Sequence, residues 1–258
     1  MTNTFILGAF VLWKRELVRF FRERSRLGSA LGSPLIFWLM IGSGVGNSFA
    51  KTDAGGGTMN YLEYFFPGTV LLVLLFTAIF STISIIEDRK EGFLQAVLVA
   101  PIPRSAFVLG KLLGGTSLAM IQGALFMLLA PLAGIPLSAI PAAFGVLALV
   151  SFGLTALGYI IAWKLDSTQG FHGIMMLLLL PMWFLSGAIF PASSASSWLK
   201  ALIAVNPVAY GLAAIRWSIY GASAATMNLP GRSLSIGVSL AFTALMFGCA
   251  VLVTRRSS

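Results

Sequence analysis

Uncharged, mostly apolar runs alternate with short charged clusters along the whole 258-residue chain. A helix needs roughly 20 apolar residues at about 1.5 Å each to cross a bilayer. That rule divides the chain into six predicted spans, at about 27–50, 64–86, 105–130, 141–163, 171–190 and 233–254. Leu27 to Ala50 carries no charge and is long enough to cross with Pro34 inside it; Lys51, Asp53 and the Gly55, Gly56, Gly57 triplet then make a polar loop. Tyr64 to Ile86 is bounded by Glu63 and by the cluster Glu87, Asp88, Arg89, Lys90, Glu91. The 52 uncharged residues between Lys111 and Lys164 would make roughly 80 Å of continuous helix, too long for one crossing. They must fold back once, and Pro131, Pro136 and Pro141 mark the break.

Three further segments are patterned without being spans. Residues 8–26 place Phe10, Trp13, Leu17, Phe20 and Phe21 at helical spacing, with Lys14, Arg15, Arg19, Arg22 and Arg26 largely on the other side. This predicts a basic amphipathic helix lying in the membrane interface, with a plain lead-in to the first span as the alternative. Residues 87–103 predict a charged helix joining two spans, with Phe93, Val97 and Ala100 as an apolar ridge and Glu87 to Glu91 as polar contacts. Such a helix suits a lever docked in a partner's groove, or a simple amphipathic linker. Residues 198–221 are too apolar for an ordinary loop, yet hold Lys200, the Asn206-Pro207 break and Arg216. They predict a re-entrant helical pair, or an external loop with a surface helix. The fold class expected is therefore an all-α integral membrane protein, one membrane domain over 1–258.

Composition agrees with that class: 58% of residues are apolar, 10% are charged and the mean hydropathy is +0.93, which a soluble domain of this length could not bury. The net charge of +9 sits in clusters beside apolar runs and is not interleaved with exposed aromatics, so nucleic acid is not expected as a partner. Thirteen of the 17 basic residues fall on the side that carries both termini, which the positive-inside rule assigns to the cytosol. Too much charge precedes the first span, and that span is too long, for a cleaved signal peptide. The lone Cys249, inside the last span, permits no disulfide within the chain.

Candidate chemistry is sparse. No GxxxxGK[ST] phosphate loop occurs, since Gly110-Lys111 is followed by Leu112 and opens a span. His172 is the one histidine and Cys249 the one cysteine, so no metal-ligand set is recognisable, and His172 reads as a packed or interfacial residue. Ser186 has no histidine after it to act as base. No ionisable residue is expected near the middle of a span and no buried carboxylate in any span, whereas ion-coupled carriers need such groups. An energised transporter of this kind would take its energy from a partner; a passive channel or assembly scaffold would need none, and a proton-coupled carrier would lack its carboxylates.

Glu91-Gly92, the apolar stretch Leu94 to Val99, Pro101-Ile102-Pro103 and Gly110-Lys111, placed after the second span, resemble the ABC-2 type permease family of ATP-binding-cassette exporters. So do Phe184 to Pro191, reading Phe-Leu-Ser-Gly-Ala-Ile-Phe-Pro, and Asn206-Pro207 with Tyr210 and Arg216. Phe93 and Gln95 stand where many members have a threonine and a second acidic residue. The resemblance covers nearly the whole chain. It implies a non-catalytic transmembrane subunit in the cytoplasmic (inner) membrane, paired with a second copy as a homodimer and surrounded by membrane lipid. ATP-binding-cassette ATPase subunits would carry the ATP and Mg, with no cofactor on this chain. Glu87, Asp88, Arg89, Glu91, Gly92, Phe93, Val97 and Pro101 would couple to the ATPase. Thr69, Leu72 and Phe76 with Met175, Leu179 and Met182 would line a pathway at the dimer interface for a hydrophobic or amphipathic cargo such as a drug, lipid or glycan. Asn206, Pro207, Tyr210 and Arg216 would build the re-entrant element.

Overall fold

A computed structural model describes residues 2–22, 32, 34–44, 60–191 and 195–256. Among them are eleven α-helices and no strand: α1 (Thr2–Arg22), α2 (Pro34–Gly44), α3 (Tyr61–Phe80), α4 (Ile83–Lys90), α5 (Phe93–Val99), α6 (Arg104–Met127), α7 (Ile140–Lys164), α8 (Thr168–Phe184), α9 (Ser197–Val205), α10 (Pro207–Tyr220) and α11 (Arg232–Arg256). Four stretches are long and apolar enough to cross a bilayer, Tyr61–Lys90, Arg104–Met127, Leu137–Lys164 and Arg232–Arg255; the bent pair Ser197–Val205 with Pro207–Ala225 makes a fifth if it is counted as one span.

The expected fold-back between spans three and four occurs at its prolines. Beyond Met127 the chain makes two 3-10 turns, Ala130–Ala133 and Leu137–Ala139, and Pro141 sits in the first turn of α7, where its missing N–H costs no helical bond. The span expected over 27–50 lies partly outside the described residues, which hold Gly32 and α2 of it; the loop at 51–57 and part of Ser193–Ser197 also lie outside. The span expected over 171–190 is shorter, since α8 ends at Phe184. Pro181 lies in its last turn, the Ser186 hydroxyl donates back to Trp183 O at 2.6 Å, and Gly187 turns the chain at φ 82°.

The centre of the bundle is α3, with 78% of its most apolar window buried against 11% for α11. Hydrocarbon tails solvate leucine as well as protein does, so close packing and satisfied polar groups hold such helices together. Pro67 in α3 cannot donate to the carbonyl of Glu63 one turn earlier, and the Tyr220 hydroxyl supplies that bond at 2.8 Å. The joint between α3 and α4 is a tightened turn at Ser81 and Thr82, whose hydroxyls donate to Ala78 O (2.7 Å) and Ile79 O (2.6 Å), competing with the helical ladder there.

Helix ends are stitched together at both ends of the bundle. At one, Arg104 at the start of α6 donates to Arg255 O (2.9 Å) and Thr254 O (3.4 Å) of α11, while Gly8 of α1 abuts Ile102. The two ends of the described chain thereby meet at the same end of the bundle. There too Arg89 of α4 caps α7, donating to Leu165 O (3.1 Å) and Trp163 O and pairing with Asp166 (2.6 Å); a cation on the last carbonyls of a helix also suits its dipole. At the other end Tyr61 donates to Ile189 O, Tyr64 to Gly187 O, and Trp217 to Pro230 O.

Candidate functional site

The densest polar constellation lies where α1, α4 and α6 meet. Glycine at 110 lets the helices touch, because a Cβ there would lie 2.7 Å from Ala9 O and 2.8 Å from Leu12 Cβ of α1. The next residue, Lys111, then reaches three oxygens: Glu16 Oε1 at 2.7 Å, Ser84 Oγ at 3.2 Å and Asp88 Oδ2. Asp88, 0% exposed, is gripped on its other side by Arg15 (2.7 and 3.1 Å) and Arg19 (3.2 Å), and Arg19 also pairs with Glu87 at 2.7 Å. Three cations thus face three carboxylates at hydrogen-bonding distance, the balance a buried ionic cluster needs, with the exposed Glu91 3.9 Å from Arg19 at its rim. The Arg15 guanidinium also lies 3.8 Å over the Phe93 ring, so the cluster holds the first turn of α5 as well. Burial disfavours the charge on Arg15, but the hydrogen bond and attraction of Asp88 outweigh it and raise the pKa above the usual arginine value.

This geometry revises two expectations about the outer segments. The amphipathic helix begins at Thr2, not at residue 8, and its protein-facing stripe is Gly8, Ala9, Leu12 and Glu16. Arg15 and Arg19, expected on a solvated basic side, are turned inward by carboxylates on α4, while Phe10 and Phe21 remain exposed. The helix expected at 87–103 is two helices set apart by Gly92 at φ 76°, a conformation that side-chain-bearing residues avoid. Glu87, Asp88 and Arg89 end the span-length helix, and one carboxylate, Asp88, is buried at a span's end after all. Lys111 helps explain why the burial is tolerated, since its buried ammonium sits directly on the Asp88 carboxylate. Phe93 and Val97 pack toward the core, so the open face of α5 carries Gln95, Ala96 and Val99, the last 86% exposed, and beyond it Pro101.

Beside the cluster a cavity of about 840 Å³ opens between α1, α2, α3, α4, α6 and α8. Of the pathway residues nominated from the sequence, Leu72 and Phe76 line it. Thr69 is buried, with its hydroxyl on Phe65 O, and Met175 and Leu179 are buried against protein beside the cavity-lining face of α8; the α8 residues that reach the cavity are Thr168, His172, Met176, Leu180, Trp183 and Phe184. Met182 meets Asn206, which donates to its carbonyl at 2.6 Å. His172 stacks on Phe80 at 4.9 Å. In the cavity wall Gln122, 0% exposed, accepts from the Thr77 hydroxyl, while its Nε2 has no partner among the described residues.

The bent element is built by the residues the sequence singled out. Asn206 accepts from Val208 N at 3.0 Å as the N-cap of α10, Pro207 opens that helix, and α9 and α10 meet at 81°. Tyr210 ties the two arms through Ala204 O at 2.9 Å. Arg216, 2% exposed, donates to Gly187 O (3.1 Å) and Tyr64 O (3.3 Å) and lies 4.2 Å over the Tyr64 ring. It fastens α10 to the turn after α8 and to α3. Glu16, Arg15, Arg19 and Gln122 were not singled out as site residues; the signals for them are a lone acid on α1 as described and a lone amide within span three.

The motifs that carried the resemblance therefore have structural work: Gly110-Lys111 seats α1, Glu91-Gly92 separates α4 from α5, and Phe184 to Pro191 receives Arg216. The profile of the ABC-2 type transporter family matches residues 8–220, covering all three. The chain belongs to the ABC-2 type transporter family. Relatives are similar over most of its length. A putative transport permease ycf38 of Cyanophora paradoxa is 29% identical over 246 residues, 92% of this chain and 83% of its own. Nodulation protein J of Rhizobium leguminosarum bv. viciae is 24% identical over 97% of this chain and 95% of its own. The daunorubicin resistance ABC transporter permease protein DrrB1 of Streptomyces coeruleorubidus is 24% identical over 81% of this chain and 74% of its own. As an ABC-2 permease this is a multi-pass membrane transport protein, of a family whose members are generally non-catalytic and partner with ATP-binding-cassette ATPases.

Proposed function

We propose that this ABC-2 permease is the membrane subunit of an exporter that moves a hydrophobic or amphipathic cargo out across the cytoplasmic membrane, driven by ATP and Mg bound on separate ATPase subunits. In this reading the chain crosses six times, with α2 part of the first span and α8 of the fifth. Both termini, α1 and α5 face the cytosol, and α9 with α10 forms a re-entrant pair on the far side. A second copy packs along the exposed Ile174, Leu177 and Phe184 of α8, as disulfide trapping of Leu177→Cys in a Cys249→Ser background would register.

The observation that carries the reading is α5: a short helix with an open face at Gln95, Ala96 and Val99, braced from behind by Arg15 and, through α4, by the Asp88 cluster. A helix so held passes on a push where a loose linker would absorb it. The test is Val99→Glu, an exposed change that leaves the fold intact, in proteoliposomes with the cognate ATPase subunit. ATPase stimulation by the permease falls at least about tenfold, the equivalent of about 1.4 kcal/mol of docking energy. A passive channel or scaffold would show no stimulation to lose and no effect of Val99→Glu on flux.

A further inference from the structure

Most polar side chains in the wall of the cavity beside α8 are already engaged with protein. Thr77 donates to Gln122, which is itself 0% exposed; Ser81 donates to Ala78 O; Glu87 is held by Arg19. Thr168 carries a hydroxyl, which can give or take a hydrogen bond and so selects nothing by itself. His172 is different. It is exposed, it lines the cavity, and its ring stacks on Phe80 at 4.9 Å with the two planes 22° apart. Its Nδ1 sits 2.8 Å from Thr168 O, one turn back along α8. A carbonyl can only accept, so Nδ1 carries the hydrogen and Nε2 keeps a lone pair. The two nitrogens lie on either side of Cε1; with Nδ1 turned back to the helix's own backbone, Nε2 is directed away from it. Among the described residues nothing donates to that nitrogen.

We infer that the cavity is a ligand site in which His172 Nε2 is the specificity-determining acceptor, and that its ligand is an amphiphile carrying a hydroxyl or N–H donor at one end of an apolar body. The cavity's volume of about 840 Å³ suits a small amphiphile. The order of groups along α8 sets the orientation. Beyond His172 the helix presents Met176, Leu180, Trp183 and Phe184, about 18 Å of lining without an ionisable side chain, faced by Leu72 and Phe76 of α3. The donor end of the ligand therefore lies beside Phe80, toward the end of the bundle where both ends of the described chain meet, and the apolar body extends toward Trp183. The bond to Thr168 and the stack on Phe80 hold the imidazole in place, so little further ordering is needed when a ligand arrives. A ligand that fills the cavity without offering a donor covers the lone pair and leaves it unpaired, and that penalty is what discriminates. The inference deepens the export reading, on which calling the ligand cargo rests. The same donor chemistry is carried by the ammonium head of a bilayer phosphatidylethanolamine.

Binding can be read on the permease alone, in nanodiscs of phosphatidylcholine, whose head group has no hydrogen-bond donor. A long-chain alcohol with a diazirine in its chain is the photoprobe, and mass spectrometry localises the label. Label is expected on the α3 and α8 peptides that hold Phe76 and Met176. A non-photoreactive long-chain alcohol should compete about 5–10-fold better than its methyl ether, which keeps the oxygen and loses the donor. His172→Phe keeps a ring to pack on Phe80 and removes the acceptor, so that ratio falls to about one with labelling retained; His172→Leu serves if the phenylalanine variant does not fold. A diazirine phosphatidylethanolamine run in parallel labels the same peptides if a bilayer lipid is the source, and spares them if the site takes single-chain cargo. Labelling confined to α11, an alcohol no better than its ether, or a preference unchanged in both variants overturns the assignment; the last is what a merely structural role for His172 would give. Because no ATPase subunit is present, such a failure leaves ATP-driven export standing, and a permease that prefers alcohols but never couples to an ATPase loses only the export reading.

Discussion

Removing the charge of Asp88 leaves Arg15, Arg19 and Lys111 facing one another with two carboxylates between them. Breaking a buried pair from one side costs about 3–5 kcal/mol, so Asp88→Asn should lower the thermal unfolding temperature of the purified protein strongly. Lys111→Met should cost less, because Asp88 keeps both arginines and Glu16 keeps Arg15. The double variant restores the balance of charge and should lose less than the two single losses together. Strict additivity would mean that Lys111 and Asp88 do not act on each other. None of this network was visible in the sequence beyond the Gly110-Lys111 pair, because the partners lie 23 to 95 residues apart and charge pairing at such separation leaves no local pattern. Individual side chains at chain punctuation were legible where they were prolines or a cap: Asn206, Pro207 and Pro131 act through backbone geometry, which the residue type itself dictates, whereas Gly92 was read as lying within one helix.

Helix α1 is attached as a unit, and the glycines at 110 and 114 let it lie close against α6. Gly110→Val would drive a branched side chain into backbone at Ala9, which no rotamer change relieves. The expected result is release of α1 from α6 with the rest of the bundle intact, seen as faster tryptic cleavage at Lys14 and Arg22 and little change in overall helix content. Unchanged cleavage would show that the ion pairs hold α1 without close contact. At this scale the uncharged windows located the four span-length stretches, Tyr61–Lys90, Arg104–Met127, Leu137–Lys164 and Arg232–Arg255, yet missed which way several helices face. In α8 the apolar residues surround the axis, so Met175, Leu179 and Met182 looked as suitable for a pathway as Met176 and Leu180, which reach the cavity. Rotation of such a helix is set by neighbours, here by Trp183 donating to Gly68 O at 2.8 Å, and a hydropathy pattern does not contain it. In α1 the pattern was strong but did not give its orientation: Phe10 and Phe21 remain exposed, while Arg15 and Arg19 turn to the carboxylates of α4.

Across the whole molecule, the helices differ sharply in what surrounds them. Leu74 of α3 touches protein on every side, whereas Leu245 of α11 is 62% exposed. Shortening Leu74 to alanine leaves a void, and the loss should be roughly 1–3 kcal/mol, below the range for water-soluble cores because no transfer from water is involved. Leu245→Ala should be nearly silent, within about 0.5 kcal/mol, as at other sites away from packed features. Comparing thermal unfolding of the two in the same nanodiscs decides the matter, and equal losses would contradict a central α3. That contrast also bears on the chain's internal mechanics. Asp88 and Arg89 are neighbours in sequence but grip different bodies, the first α1 and α6, the second the tail of α7. The stretch between the last span-length turn and Gly92 therefore has no slack: to shift it is to shift four helices together. Whatever compliance the permease possesses near this segment must sit before that rivet, at the Ser81–Thr82 turn where hydroxyls compete with the helical ladder.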